Sequence, residues 1–159
     1  MAVEIGDAAP LFDAELADGT RCNNNQFLGQ KLLLYFYPKD NTPGCTSQAC
    51  SLRDNWSELQ AMGIRVVGVS PDSLRSHLNF SEKLALPFPL ISDPEHTLAE
   101  AYGVWGEKVR FGKKSFGIFR TSFLINGDGI VEYIFRKVQT ANHALQVLSY
   151  LRRKYEYVN

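Results

Sequence analysis

The chain has 159 residues, with 17 basic and 17 acidic side chains, so it carries no whole-chain field that would draw nucleic acid or an anionic membrane. Its length suits a single domain, residues 1–159, whose core is large enough to need neither disulfides nor a structural metal. Three cysteines are too few for a secreted disulfide framework, and an odd count leaves at least one free thiol, which suits a reducing compartment.

Met1 to Asp7 shows neither the basic segment nor the apolar stretch of an export signal, and the expectation is a soluble cytoplasmic protein. Asp18-Gly19 is a turn signal, so the segment Leu11 to Leu16 and the one that follows predict a hairpin. The apolar run Leu32 to Tyr37 is far too short to span a bilayer and reads as a buried strand. It leads into the loop Pro38-Lys39-Asp40-Asn41-Thr42-Pro43-Gly44, which delivers Cys45 to the first turn of a predicted helix. Unpaired backbone N–H groups and the helix dipole there favour negative charge on sulfur, so Cys45 reads as a nucleophile.

Ala49, Leu52, Trp56 and Leu59 recur at three and four residues, the pattern of one helix with one buried face, ended by Gly63. Cys50 lies on that helix, five residues after Cys45. In an ideal helix the two Cα atoms are roughly 8 to 9 Å apart and about 140° apart around the axis, whereas a disulfide needs about 4.4 to 6.8 Å. The pair can bond only if the helix unwinds, which marks it as a redox switch rather than a staple.

Ile64 to Val69 is a β-branched run, and Leu74 to Leu84 returns to helical spacing before Pro87 and Pro89. Pro89-Leu90-Ile91 predicts a short strand and Leu98 to Tyr102 a short helix. Thr121 to Ile125 and Ile130 to Arg136 read as a hairpin across Asn126-Gly127-Asp128-Gly129. Thr140 or Asn142 is placed to cap a final helix, with Leu145, Leu148, Leu151 and Tyr155 on one face. Strand and helix alternate first, and a hairpin with a helix comes last, which predicts an α/β domain with a mixed central sheet and flanking helices.

With these residues in view, nearly the whole chain resembles the peroxiredoxins, and within them the bacterioferritin-comigratory-protein (Q-type) group. The core of the resemblance is the pattern Pro-x-x-x-Thr-x-x-Cys, present as Pro38, Thr42 and Cys45 within Tyr35 to Thr46. Gly117 to Ile125 is similar to the family segment that carries an active-site arginine, here Arg120, and Tyr102 to Lys108 is also similar to the group. Gln48 stands where the group often has glutamate, Asn126 where it often has aspartate, and Cys22 has no counterpart in the pattern and is given no role.

The resemblance implies a thioredoxin-like fold and a thiol peroxidase that reduces hydrogen peroxide and small organic hydroperoxides. In that mechanism the Cys45 thiolate attacks a peroxide oxygen and becomes a sulfenic acid, and Cys50 resolves it to a disulfide. Arg120 supplies a permanent cation and a fork of donors, Thr42 a hydroxyl, and Pro38 a rigid shield for the loop. A thioredoxin-type dithiol returns the protein to its reduced form, and a monomer or weak dimer is expected. No cofactor and no metal is implied.

Arg53 is placed behind Arg120, as a solvated helix residue. His77, His96 and His143 have no ligand spacing and default to surface or core, so zinc is not expected. Lys113-Lys114, with Lys108 and Arg110, reads as a solvated loop. Trp105 and Phe111 read as core, the alternative being exposed aromatics that receive a partner. Two other functions compete. A protein dithiol-disulfide oxidoreductase usually carries Cys-x-x-Cys, whereas four residues separate Cys45 from Cys50. A redox-regulated binding protein would use a Cys45–Cys50 bond to change shape, and rapid peroxide consumption separates the peroxidase from both.

Overall fold

The computed structural model describes residues 2–158, with side chains through residue 154. Its frame is a five-stranded sheet in the order β5-β4-β3-β8-β9. The members are β3 (Lys31–Phe36), β4 (Ile64–Ser70), β5 (Leu90–Ser92), β8 (Thr121–Ile125) and β9 (Val131–Phe135). β3 pairs in parallel with β4 and β4 with β5, while β8 runs antiparallel to both β3 and β9. The sheet is mixed, as the sequence predicts.

β3 lies at the centre and is covered on both faces, which is why its sequence is a continuous apolar run rather than an alternating one. Leu33, Tyr35 and Tyr37 point to one side, among Ala49, Leu52, Phe80, Val147, Leu148 and Leu151. Leu32, Leu34 and Phe36 point to the other, among Val67, Ile91, Tyr102 and Phe123. Side chains of successive strand residues alternate between faces, so one strand anchors two cores.

The helices are α1 (Pro43–Asp54), α2 (Trp56–Ala61), α3 (Leu74–Leu84), α4 (Thr97–Ala101) and α5 (His143–Val158). Where the sequence predicts one helix through Leu59, the structure breaks it at Asn55, which leaves helical geometry at φ −108° and ψ 21°. The Asn55 side chain donates to Ser51 O at 2.8 Å, competing for the carbonyl that its own backbone N–H also uses. On α5 the buried face is Ala144, Val147, Leu148 and Leu151, whereas Leu145 is half exposed. The Tyr155 side chain lies outside the described residues. The side chain that closes the start of α5 is Gln146, which accepts the Gln139 N–H and donates to Lys137 O.

β1 (Asp13–Glu15) and β2 (Arg21–Asn23) form the expected hairpin around Gly19. A second hairpin, β6 (Trp105–Arg110) with β7 (Lys113–Ile118), stands where the sequence reading has a solvated loop. Its two-residue turn, Phe111-Gly112, holds both residues at positive φ. Phe111 is therefore fully exposed at the tip and not core, and Trp105 is half-buried. Among the described residues, no helix is long and apolar enough to cross a membrane.

His143, at the start of α5, is a core histidine. Its Nε2 lies 2.7 Å from Ser122 Oγ and its Nδ1 3.0 Å from Gln146 Oε1. Burial lowers its pKa from 6.5 to about 4, the Gln146 bond opposes this, and the Arg120 charge lowers it further. A ring kept neutral in the fold but protonated at higher pH in the unfolded chain costs stability as pH falls from 6.5 towards about 4. The expected loss is about 3 kcal/mol, read as a drop in the urea midpoint between neutral and mildly acid pH. His143→Gln should flatten that dependence.

Candidate active site

The loop from Pro38 to Thr42 carries the chain from the end of β3 to the start of α1. Asn41 sits within it at φ +62°, a left-handed conformation that asparagine tolerates better than most residues. Thr42 occupies the cap position of α1 and Pro43 the first helical position, where a missing N–H costs nothing. The Thr42 hydroxyl does not cap the helix. It donates to Lys39 O at 2.7 Å, which leaves its lone pairs free to accept. Helix geometry leaves the backbone N–H groups of Gly44 and Cys45 without an intrahelical acceptor, and the unused cap keeps them available to an anion.

Cys45 stands on this first turn with only 2% of its surface exposed. Arg120, in the crossing from β7 to β8, reaches it across the fold: Nη2 lies 3.3 Å from Cys45 Sγ, and Nη1 donates to Gln48 Oε1 at 2.6 Å. Gly44 leaves room for this approach, since a Cβ there would come 3.3 Å from Arg120 Nη2, a tight contact. Gln48 is fully buried, and its Nε2 has no partner among the described residues. As a neutral acceptor it fixes one edge of the guanidinium without neutralising it, so the positive charge is left to the sulfur. Glutamine in place of the glutamate that the group often has there thus leaves the Arg120 charge unneutralised on that side.

Cys50 is partly exposed further along α1, and all three cysteines are free thiols. α1 is continuous around Cys45 and Cys50, the folded, reduced arrangement. Pro38 is half-buried at the start of the loop. Arg53 is engaged elsewhere: its Nε pairs with Asp54 and its Nη1 donates to Leu84 O, tying α1 to the end of α3. Cys22 is buried in the opposite core, and burial, with Asp13 adding to it, pushes its thiol up to about 11.

Lys108 is the site residue that sequence reasoning missed. Read as part of a solvated loop, it lies on the β6–β7 hairpin with its Nζ 5.5 Å from the centre of the Phe119 ring. Burial lowers its pKa, with the Arg110 and Arg120 charges lowering it further. Together with Arg120, Arg136 and Lys137 it lines a cleft of about 650 Å³ that opens beside the guanidinium. The similarity of Tyr102 to Lys108 to the group ends on it but gives it no role, and hairpin pairing is what brings it there. Asn126, the other departure from the group's pattern, is structural: its Oδ1 accepts the N–H groups of Asp128 and Ile130, a task that needs only an acceptor.

The histidines are not a metal set. His96 stacks on Trp105 with ring centres 3.5 Å apart. His77 does meet two carboxylates, Asp40 and Asp72, closely enough for the three to surround a cation. Both Asp40 oxygens and Asp72 Oδ2, however, already accept from donors of this chain. Asp40 accepts from Tyr37, Ser76 and His77, and Asp72 accepts from Asp40 N and Ser70. The arrangement is a hydrogen-bond network.

A thiol held against a guanidinium at a helix start, at the end of the central strand of a mixed α/β sheet, is an arrangement of the thioredoxin-like class. The AhpC/TSA family model matches residues 5–134. Peroxiredoxin Bcp of Escherichia coli strain K12 is 47% identical over 150 residues, 94% of this chain and 96% of the relative. Peroxiredoxin Bcp of Bacillus subtilis strain 168 is 42% identical over 152 residues, 96% and 97% of the two chains. Among solved structures, the bacterioferritin comigratory protein of Xanthomonas campestris, described for its alkyl peroxide reduction activity, is similar with a TM-score of 0.85 at 38% identity, covering 96% of this chain and 97% of that one. PrxQ of Xylella fastidiosa, solved as a cysteine-to-serine mutant, gives a TM-score of 0.89 at 32% identity, covering 98% and 99%. The chain belongs to the AhpC/TSA family, and within it to the bacterioferritin-comigratory-protein (Q-type) peroxiredoxins. It is a thiol peroxidase, with a peroxide as substrate and a thiol as reductant.

Proposed function

We propose that Cys45 is the thiol that attacks peroxide, that Cys50 resolves it, and that a thioredoxin-type dithiol recycles the disulfide. The observation that carries this reading is the 3.3 Å contact from Arg120 to Cys45 Sγ at the first turn of α1. The sulfur electron pair displaces the far peroxide oxygen: an S–O bond forms, the O–O bond breaks, and the leaving oxygen departs as water or alcohol after taking a proton. Arg120 and the N–H groups of Gly44 and Cys45 stabilise charge as it moves from sulfur to that oxygen. Thr42, already donating to Lys39 O, accepts a hydrogen bond from the peroxide O–H, and Pro38 keeps the loop rigid.

The sulfenic acid then condenses with the Cys50 thiol, releasing water, and two electrons from the external dithiol restore both thiols. Hydrogen peroxide and small organic hydroperoxides suit so buried a sulfur. One domain, a cytoplasmic location and a monomer or weak dimer complete the reading, which the free thiols and the balanced charge support. Coupled oxidation of NADPH by thioredoxin reductase, thioredoxin and this protein tests the cycle. No turnover with thioredoxin alongside full turnover with glutaredoxin would replace the reductant.

Because Cys45 and Cys50 share an intact helix, bond formation must unwind the first turns of α1. Opening is cheapest at a helix terminus. Amide hydrogen exchange from Cys45 to Leu52 should therefore be faster in the disulfide form than in the reduced form. Unchanged protection in a protein that carries the bond would refute the unwinding.

A further inference from the structure

The active-site loop is held from behind by a buried network that the peroxide chemistry does not use. Asp40, two residues before Thr42, turns its carboxylate inward, where Oδ1 accepts the Tyr37 hydroxyl at 2.6 Å. Oδ2 accepts the Ser76 hydroxyl and faces His77 Nδ1, each at 2.8 Å. The Asp40 backbone N–H donates to Asp72 Oδ2 at 2.8 Å. Asp40 and His77 are both almost fully buried, at 4% and 2% exposure.

The histidine ring is constrained at both ends. Nε2 lies 3.0 Å from Ile91 O, a carbonyl that can only accept, so Nε2 carries a hydrogen. Nδ1 faces a carboxylate oxygen that already accepts from Ser76, and this contact is attractive only with a proton between the two. The ring thus bridges β5 to the loop, with Ile91 on one side and Asp40 on the other. The next loop residue, Asn41, is in the left-handed region, so its backbone depends on neighbours that hold it there.

We propose that His77 is a positioning residue of the peroxidase site, which through its Nδ1 hydrogen bond to Asp40 holds the Pro38–Thr42 loop in the form that presents Thr42 and Cys45 to peroxide. The proposal rests on Cys45 being the attacking thiol. α3 thereby acts on the site without touching it. The same anchor stays in place while the turns after Gly44 unwind, so the loop returns to register when the disulfide is reduced.

Two substitutions separate this role from general support of the fold. In His77→Asn the amide nitrogen is attached at Cγ, as Nδ1 is, and can still donate to Asp40. In His77→Gln the amide lies one atom further out and can serve Ile91 O but not Asp40. Stopped-flow mixing of each reduced protein with hydrogen peroxide should show His77→Gln at least about tenfold slower than His77→Asn, with reduction of the disulfide by dithiothreitol equal in both. Equal peroxide rates, or a faster His77→Gln, would overturn the proposal. A slow parent protein would instead overturn the assignment of Cys45. Should either variant fold poorly, nitrogen-15 NMR of the parent decides: Nε2 should be protonated with a strongly deshielded proton between Nδ1 and Asp40, and a bare Nδ1 would contradict the anchor.

Discussion

Cys45→Ser is expected to lower the rate of peroxide consumption by at least about 10⁴-fold, because a serine hydroxyl in this setting has neither the charge nor the nucleophilicity of a thiolate. Cys50→Ser is expected to behave quite differently. It should consume a single equivalent of hydrogen peroxide at close to the parent rate and then stop as a sulfenic acid, until an external thiol is supplied. The asymmetry follows from place: Cys45 is bonded by Arg120 at the first turn of α1, while Cys50 lies further along the helix, partly exposed. Peroxide electrode traces of the two variants check this, and sustained thioredoxin-dependent turnover by Cys45→Ser would sink the assignment.

Arg120→Met should slow the reaction of the thiol with peroxide by about 10²-fold, equivalent to about 2.7 kcal/mol of barrier, the scale on which a single oriented donor to a developing oxyanion acts. Methionine keeps much of the packing volume and removes both the cation beside the sulfur and the bond to Gln48. Arg53→Met should change the same rate by less than about threefold, since its partners are Asp54 and the carbonyl at the end of α3. Stopped-flow fluorescence on both variants gives the comparison. A larger effect from Arg53 would mean that the wrong arginine has been chosen.

How much of this was legible in the sequence depends on how local each signal is. β3 was legible because a strand buried on both faces is apolar throughout. α3 was legible because Leu74 to Leu84 keeps helical spacing before Pro87 and Pro89; in the structure Ser73 caps it, accepting the Ser76 N–H, and left-handed Ala85 ends it. The β6–β7 hairpin was not, since Phe111-Gly112 is a weak turn signal and its strands, with Glu107-Lys108 and Lys113-Lys114-Ser115 in succession, lack apolar–polar alternation. The break at Asn55 was hidden because the buried positions keep helical spacing across it.

Within the site, Pro38, Thr42 and Cys45 follow from one contiguous motif, and Arg120 from a second. The partners that hold them do not. Gln48 was visible only as a departure from a pattern, and its bond to Arg120 spans 72 residues. His77 lies 37 residues from Asp40, and nothing in its neighbourhood announces a carboxylate. Contacts of this kind are made by the packing of α3 and β5 against the loop, which sequence spacing does not encode.

The claim that a single thiol, Cys45, meets the peroxide can be examined on the protein itself. Reduced Cys50→Ser protein is mixed with one equivalent of hydrogen peroxide in the presence of dimedone, digested, and mapped by mass spectrometry. The geometry predicts a dimedone adduct on Cys45, with Cys22 unlabelled in its buried site. An adduct chiefly on Cys22, with Cys45 recovered as the free thiol, would contradict it.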